Sequence, residues 1–225
     1  MEQRNLGSLY NLRASQIARV IGNDDYCSRQ NHFAILIGDK EDKPVNEMFT
    51  SHGHECERYG VAHVMIATQL LVVDCGSDLL GPQVTIKEDY MSTDDTIVQL
   101  SCTPDGFIDE RNAVVEIKSP YFKQEDFDKY INRYLPQIYF QQYLVRRSSR
   151  KNNADGTYFC IYQMGNTKLY YIPYNEDYIN NYMLPKIDEF ARYLLKGSLD
   201  KDFKTKRNSK ESFIYNGEVK YSECI

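Results

Sequence analysis

Tryptophan is absent from this chain, and no two cysteines are close enough to form a Cys-x-x-Cys unit. The six cysteines, at positions 27, 56, 75, 102, 160 and 224, are scattered. That spacing excludes a zinc knuckle and a redox dithiol and fits reduced thiols in an intracellular protein. A run of about 18 apolar residues is also missing, as is a signal peptide, so no membrane partner is expected. Nor is there an excess of positive charge: the formal net charge is −5. Any nucleic-acid binding must therefore come from local basic patches, because phosphate neutralisation is local. No internal repeat marks a second unit. Residues 1 to 225 are expected to form a single domain long enough to bury a full core, with a polar, Lys-rich tail from about residue 197. What the chain has in plenty is tyrosine, 19 residues alongside 10 phenylalanines. Such rings can stack on bases, but tyrosines spread along a whole chain more often serve cores and interfaces.

The densest chemistry lies in residues 101 to 120, Ser-Cys-Thr-Pro-Asp-Gly-Phe-Ile-Asp-Glu-Arg-Asn-Ala-Val-Val-Glu-Ile-Lys-Ser-Pro. Val114 and Ile117 are β-branched and Pro120 ends the run, so residues 113 to 118 read as a short buried strand. Side chains alternate faces along a strand, which puts Glu116 and Lys118 on the same side. A turn near Asn112 would fold this strand back beside Asp105, in its Pro-Asp-Gly turn. Glu-x-Lys pairs on strands are common and usually solvated. Here the acid and the base share one face of an otherwise apolar strand, which is costly unless they serve a site. Two carboxylates and an ammonium converging at a hairpin end can hold a hard divalent cation and orient a water. This is the Pro-Asp…(Asp/Glu)-x-Lys signature of a large nuclease superfamily.

Elsewhere the pattern is plainer. Residues 9 to 22 read as a loop entering a short helix with Ser15 as N-cap and Gly22 as stop. A helix start beside Arg13 is either an anion site or a simple cap. Residues 23 to 45 look like a polar surface excursion around residues 33 to 37. Residues 46 to 73 form a second helical stretch with Met48, Cys56, Tyr59 and Val64, then Ile66, Leu70 and Leu71, as core candidates. Its His52 and His54 are at i, i+2 and diverge on a helix, whereas a zinc site of the metalloprotease type needs i, i+4. Gly53 is expected to let helix and sheet pack closely, leaving Glu57 facing the hairpin. Residues 83 to 90 and 96 to 102 alternate as strands. Residues 125 to 143 read as a helix interrupted at Pro136, with Gln137 and Gln141 on one face, where they either orient a phosphate or carboxylate or are solvated. Arg146, Arg147, Arg150 and Lys151 are either a phosphate-tracking rim or an ordinary soluble loop. Strands at 157 to 164 and 167 to 173 follow. A last helix spans residues 176 to 196, with Ile179, Met183, Ile187, Phe190 and Leu194 at helical spacing.

Four blocks, in order, resemble the phage lambda exonuclease family, the YqaJ-type viral recombinase group shared by phages and large DNA viruses. Leu-Arg-Ala-Ser-Gln-Ile resembles its Thr-Ala-Ser helix start, and Gly-His-Glu-Cys-Glu its Gly-x-x-x-Glu helix, which matches an acidic ligand to Glu57. Thr-Pro-Asp-Gly with Val-Glu-Ile-Lys-Ser-Pro resembles its catalytic hairpin, and Tyr-Leu-Pro-Gln-Ile-Tyr-Phe-Gln its glutamine helix, matching Gln137. The resemblance covers residues 9 to 143. It implies an α/β fold with a PD-(D/E)xK restriction-endonuclease-like core, a mixed central sheet flanked by helices. It implies a metal-dependent 5′→3′ exonuclease on linear duplex DNA, acting in the cytoplasm or nucleus of an infected cell. The missing cysteine cluster near the C-terminus separates the chain from the superfamily's iron–sulfur members. A homo-oligomer, often a trimeric ring, and a single-strand annealing partner are implied as well.

On this reading Asp105, Glu116 and the Ile117 carbonyl bind one Mg²⁺, for which Mn²⁺ substitutes, and Glu57 completes the site for a second ion. Lys118 orients or activates the water and Gln137 braces the site. Arg13, Ser15, Gln141, Arg146 and Arg147 are the candidates for nucleic-acid and 5′-phosphate contacts. The family's phosphate-reading Arg would fall near Ser8, and Arg13 stands where Thr is usual. A metal-dependent endonuclease on DNA or RNA and a catalytically dead binding module are the alternatives.

Overall fold

The computed structural model describes residues 8–43, 46–148, 154–199 and 222–223. It is a mixed α/β fold whose hydrogen-bonded ladders come in two pieces. The first sheet has the order β1 (Ser8–Arg13), β3 (Thr96–Cys102), β2 (Ile86–Ser92), with β1 parallel and β2 antiparallel to β3. The second has the order β4 (Gly106–Ile108), β5 (Ala113–Lys118), β6 (Gly156–Ile161), β7 (Lys168–Pro173), β8 (Ser222–Glu223), with only the β5–β6 pair parallel. Instead of one continuous sheet, the ladder breaks at residues 103 to 105 between β3 and β4. Pro104 has no N–H to continue it. The break lies where Asp105 stands.

The strand–turn–strand around Asp105 forms as its sequence predicts. Asn112 takes φ 46° after a 3₁₀ turn at Asp109–Arg111. Asparagine tolerates this left-handed backbone better than most residues. The chain then returns as β5, paired Gly106 to Val115 and Ile108 to Ala113. All of β5 except Lys118 is buried.

Parallel strands need a crossover, and α4 (Phe127–Arg147) provides it between β5 and β6. Asp126 caps α4 by accepting from Lys129 N at 2.9 Å. Pro136 lies inside α4 and does not interrupt it. Its ring costs one backbone bond, yet Ile131, Leu135, Ile138, Tyr139 and Phe140 around it are all buried, and that packing outweighs the lost bond. Each such side chain contributes about 1.5–3 kcal/mol on burial.

Several other expectations need correction. Residues 9 to 22 are β1, a 3₁₀ turn (Ala14–Gln16) and a five-residue α1 (Ile17–Ile21), not a loop and one helix. Ser15 sits inside the 3₁₀ turn and caps nothing; Gly22 at φ 85° does end α1. The supposed surface excursion contains a helix, α2 (Arg29–Leu36), capped by Ser28, whose Oγ accepts from Asn31 N at 3.3 Å. Arg29 anchors it, donating to Val20 O at 2.6 Å and pairing with Glu189 at 2.8 Å.

α3 runs over Glu47–Thr68, and its buried residues are Gly60, Val61 and Val64. Met48, Tyr59, Ile66 and Leu71 are exposed, and Cys56 and Leu70 are partly buried. The glycine that lets α3 approach the sheet is Gly60 and not Gly53. A Cβ at Gly60 would lie 2.4 Å from Ile117 Cγ2, whereas one at Gly53 would meet nothing within 4 Å. The last helix opens as a π-helical turn (Tyr178–Met183) and continues as α5 (Leu184–Lys196), with all five predicted apolar positions buried.

The five described cysteines are free thiols. No described helix is long and apolar enough to cross a membrane. Of the expected tail beyond residue 197, residues 200–221 and 224–225 lie outside the described residues, as do Arg150 and Lys151. Ser222–Glu223 pairs with β7 at the sheet edge.

Candidate active site

The site is built on the end of β5. Glu116 is 1% exposed, and a buried carboxylate is tolerated only when it is paired and hydrogen-bonded. Three donors meet that need. Lys118 Nζ forms an ion pair with Oε1, Gln137 Nε2 donates to the same oxygen at 2.5 Å, and Gln141 Nε2 donates to Oε2 at 2.7 Å. The one-turn spacing of the two glutamines on α4 puts both amides over one carboxylate. Lys118 Nζ also lies 5.4 Å from the centre of the Tyr134 ring, one α4 turn before Ile138.

Asp105 is fixed by the hairpin itself: Ile117 N donates to Oδ2 at 2.6 Å. No described residue donates a hydrogen bond to Oδ1. Burial pushes the Asp105 carboxyl well above the usual range; Glu116 and then Glu57 add to that rise, while Lys118 and the Ile117 amide oppose it. Burial acting alone would lower the pKa of Lys118, but Glu116 and Asp105 outweigh it and the ammonium is held protonated. Glu57 comes from α3 on the facing side. It accepts from Gln83 Nε2 at 2.6 Å and lies 3.9 Å from His54 Nδ1. Its carboxyl is also raised, first by burial, with Glu116 contributing and His54 opposing.

These donors are hard oxygens, and Glu116 and Glu57 both raise the proton affinity of Asp105. A divalent cation relieves that repulsion, so the residues present fit one. As the side chains stand, no group of three or more His, Cys, Asp or Glu among the described residues is placed to hold a metal ion. Glu116 is neutralised by Lys118 instead, and Glu57 is held back by Gln83.

Beside this centre is a hollow of about 330 Å³ whose lining includes Arg13, Ser15, Lys87, Thr103, Gln137 and Gln141. Strand register explains it. Arg13 pairs with Ser101, and Ser101 pairs with Lys87, so the three stand in one row across β1, β3 and β2. Residues opposite one another on paired strands share a face. Among the described residues, neither Arg13 nor Lys87 has a carboxylate partner. Thr103 Oγ1 shares a 2.9 Å hydrogen bond with Thr85 Oγ1. The Cys102 thiol in the same wall is pushed up to about 12, by burial and then by Glu116, and stays protonated.

Arg13, Ser15, Gln137 and Gln141 are thus brought together, next to Asp105, Glu116 and Lys118. Arg146 and Arg147 are not. Arg146 donates to Ala154 O at 2.9 Å and lies 4.1 Å over the Tyr174 ring, while Arg147 pairs with Glu88 at 2.6 Å. Sequence reasoning missed Lys87, Thr103 and Gln83. Lys87 carried a usable signal, as a cation within an alternating strand. Gln83 carried none, since only the fold brings it to Glu57.

The model of the YqaJ-like viral recombinase domain matches residues 2–145, which takes in every residue of this centre. The chain belongs to this family. Solved structures agree on the fold. The crystal structure of LHK-Exo in complex with dAMP is 19% identical, with a TM-score of 0.55 over 86% of this chain and 90% of that one. A phage-related exonuclease from Haemophilus somnus 129PT is 12% identical, with a TM-score of 0.51 over 83% of this chain and 92% of that one. Among curated proteins no match is found. The YqaJ-family match ends in the last turn of α4, whereas the structural likeness to LHK-Exo extends over 86% of the chain.

Proposed function

We propose that this YqaJ-family protein is a divalent-metal nuclease that removes nucleotides from the 5′ ends of linear duplex DNA during phage or viral recombination. The observation that carries it is the buried Glu116, held by Lys118, Gln137 and Gln141 beside Asp105 and next to a cationic hollow. Both structural neighbours are titled as exonucleases, one of them bound to a nucleoside monophosphate.

Asp105, Glu116 and the Ile117 carbonyl would hold the cation, with Glu57 available for a second. Mg²⁺ suits this all-oxygen set and Mn²⁺ would substitute. The bound ion would activate a water and neutralise charge on the scissile phosphate. Lys118 would orient or activate that water, or stabilise the developing charge. Gln137 and Gln141 fix the orientation of Glu116. α1 has only five residues, so the terminal phosphate is read by side chains: the Arg13 guanidinium, the Lys87 ammonium and the hydroxyls of Ser15 and Thr103. With that anchor at a set distance from the reacting bond, hydrolysis proceeds from an end.

A trimeric ring, an annealing partner and action inside an infected cell belong to the same proposal, by family resemblance. A time course with Mg²⁺ on linear and on closed-circular duplex tests the reading. Loss of the linear form alone supports it, and cleavage of the circle at a similar rate replaces it with an endonuclease.

A further inference from the structure

On the side of β5 away from the cationic hollow is a second, larger groove of about 1090 Å³. It begins at Pro120 and Tyr121, immediately after Lys118 and Ser119, and continues along α3 at Tyr59, two positions after Glu57. Three tyrosines, Tyr59, Tyr121 and Tyr162, stand in its lining, and Phe49 and Phe122 extend the aromatic patch beside it. Tyr121 contacts Phe49 at 5.2 Å and Phe122 at 5.2 Å between ring centres, with His52 at 5.4 Å. Tyr59 stacks on Tyr162 at 6.0 Å with 19° between the planes. Tyr59 is 49% and Phe122 66% exposed. Solvated rings of this size in one patch are unusual unless something covers them.

The platform is preformed. Gln163 grips the segment after β5 by donating from Nε2 to Phe122 O at 3.1 Å and accepting from Gln124 N at 3.3 Å. The charge is one-sided too. The lining contains Lys123 and no Asp or Glu, in a chain whose net charge is −5. Arg58 lies over the Tyr59 ring at 4.9 Å. The lining has no Leu, Ile or Val, which an amphipathic helix would need as a socket. Flat π-faces interleaved with cations and amides match unpaired bases on a phosphate backbone.

We infer that this groove binds single-stranded nucleic acid, its bases stacking on Tyr121 and Tyr59 and its phosphates meeting Lys123, so that unpaired nucleotides beside the reacting phosphate are held on the α3 side of the site. The inference rests on the nuclease reading for its role, though not for its binding test.

The test is fluorescence anisotropy of a 5′-hydroxyl oligothymidylate with the full chain in EDTA, where hydrolysis is blocked and no terminal phosphate is present. The variant carrying Tyr59→Ala and Tyr121→Ala is expected to bind about tenfold or more weakly. Tyr121→Phe should retain wild-type affinity, and Lys123→Ala should flatten the salt dependence by about 0.7 in log–log slope. A protein inactive on every duplex that still shows this pattern upholds the groove and removes only the nuclease reading. Wild-type affinity in the double variant, with an unchanged Tm, overturns the inference. So does a double variant that binds normally but loses self-association on a sizing column, which assigns the face to contacts between copies of this chain.

Discussion

The backbone amide of Ile117 donates to Asp105 Oδ2 at 2.6 Å. Together with the bond from Asp105 N to Val115 O at 3.1 Å, it locks the Pro-Asp-Gly turn to the strand that carries Glu116 and Lys118, placing two acidic groups side by side. Burial first, and then the neighbouring Glu116, raise the carboxyl of Asp105.

A first prediction concerns pH. A carboxyl whose folded pKa exceeds its unfolded value binds more protons in the folded state, so its contribution to stability falls as pH rises. Asp105 and Glu57 both shift upward. The metal-free protein should therefore lose stability as pH rises from about 4, the unfolded carboxylate value, through the raised folded values. Asp105→Asn should raise the Tm at pH 7 in EDTA and abolish the Tm increase that Mg²⁺ or Mn²⁺ gives the wild type. Thermal melts at several pH values, with and without cation, check this. A Tm for Asp105→Asn below the wild type in EDTA would contradict it.

Lys118→Ala separates chemistry from metal binding. The rate should fall at least about a hundredfold, while Mn²⁺ binding by calorimetry persists, since the ammonium is not a ligand. Removing one partner of a buried ion pair costs about 3–5 kcal/mol. Here Gln137 and Gln141 still serve Glu116 and Lys118 is partly solvated, so a smaller loss in Tm is expected, recovered on adding cation. Equal loss of metal binding in Lys118→Ala and Asp105→Ala would contradict the division of roles.

The two glycines of α3 make a paired test. Gly60→Ala drives a methyl into Ile117 Cγ2, and overpacking of this kind costs about 1–3 kcal/mol. It also pushes Glu57 away from the hairpin, so activity should fall together with Tm. Gly53→Ala fills open space in a helix and should stabilise by about 0.5–1 kcal/mol. Denaturant titrations of both variants decide.

The hairpin was legible because its chemistry is local: a turn, an alternating strand and a stop fix Asp105, Glu116 and Lys118 within a few residues. Gln137 and Gln141 were legible as a helix face, but their shared partner was not. The cationic hollow was only half visible. Arg13 and Lys87 are far apart in the chain and meet through β3, by a parallel pairing on one side and an antiparallel one on the other. Periodicity in one strand does not report which strand lies beside it. The assignment of Gly53 in place of Gly60 has the same origin, since a helix carries two glycines and only packing tells which faces the sheet. α2 was missed because Gln30, Asn31 and His32 dilute its apolar signal, although His32 is fully buried and stacks on Phe190. Burial lowers its pKa to about 4 and keeps it neutral.

End recognition is tested at Arg13 and Lys87. The enzyme should prefer 5′-phosphorylated over 5′-hydroxyl duplex ends. Each charge-assisted contact is worth about 1.5–3 kcal/mol, so Arg13→Ala should cut that preference about ten- to a hundredfold, and Lys87→Ala should act in the same direction. Cleavage of 5′-hydroxyl ends should change little in either. Steady-state rates on matched substrates measure it, and an Arg13→Ala enzyme with its full preference would remove this residue from the pocket.

The central claim is that Asp105, Glu116 and Lys118 hydrolyse DNA from the 5′ end with a divalent cation. The direct measurement uses one linear duplex labelled in turn at the 5′ and the 3′ terminus of the same strand, incubated with Mg²⁺ or with EDTA. The account predicts early release of the 5′ label as mononucleotide, late release of the 3′ label, and no release of either in EDTA or with Asp105→Ala. Early release of the 3′ label, or hydrolysis undiminished in EDTA, would contradict it.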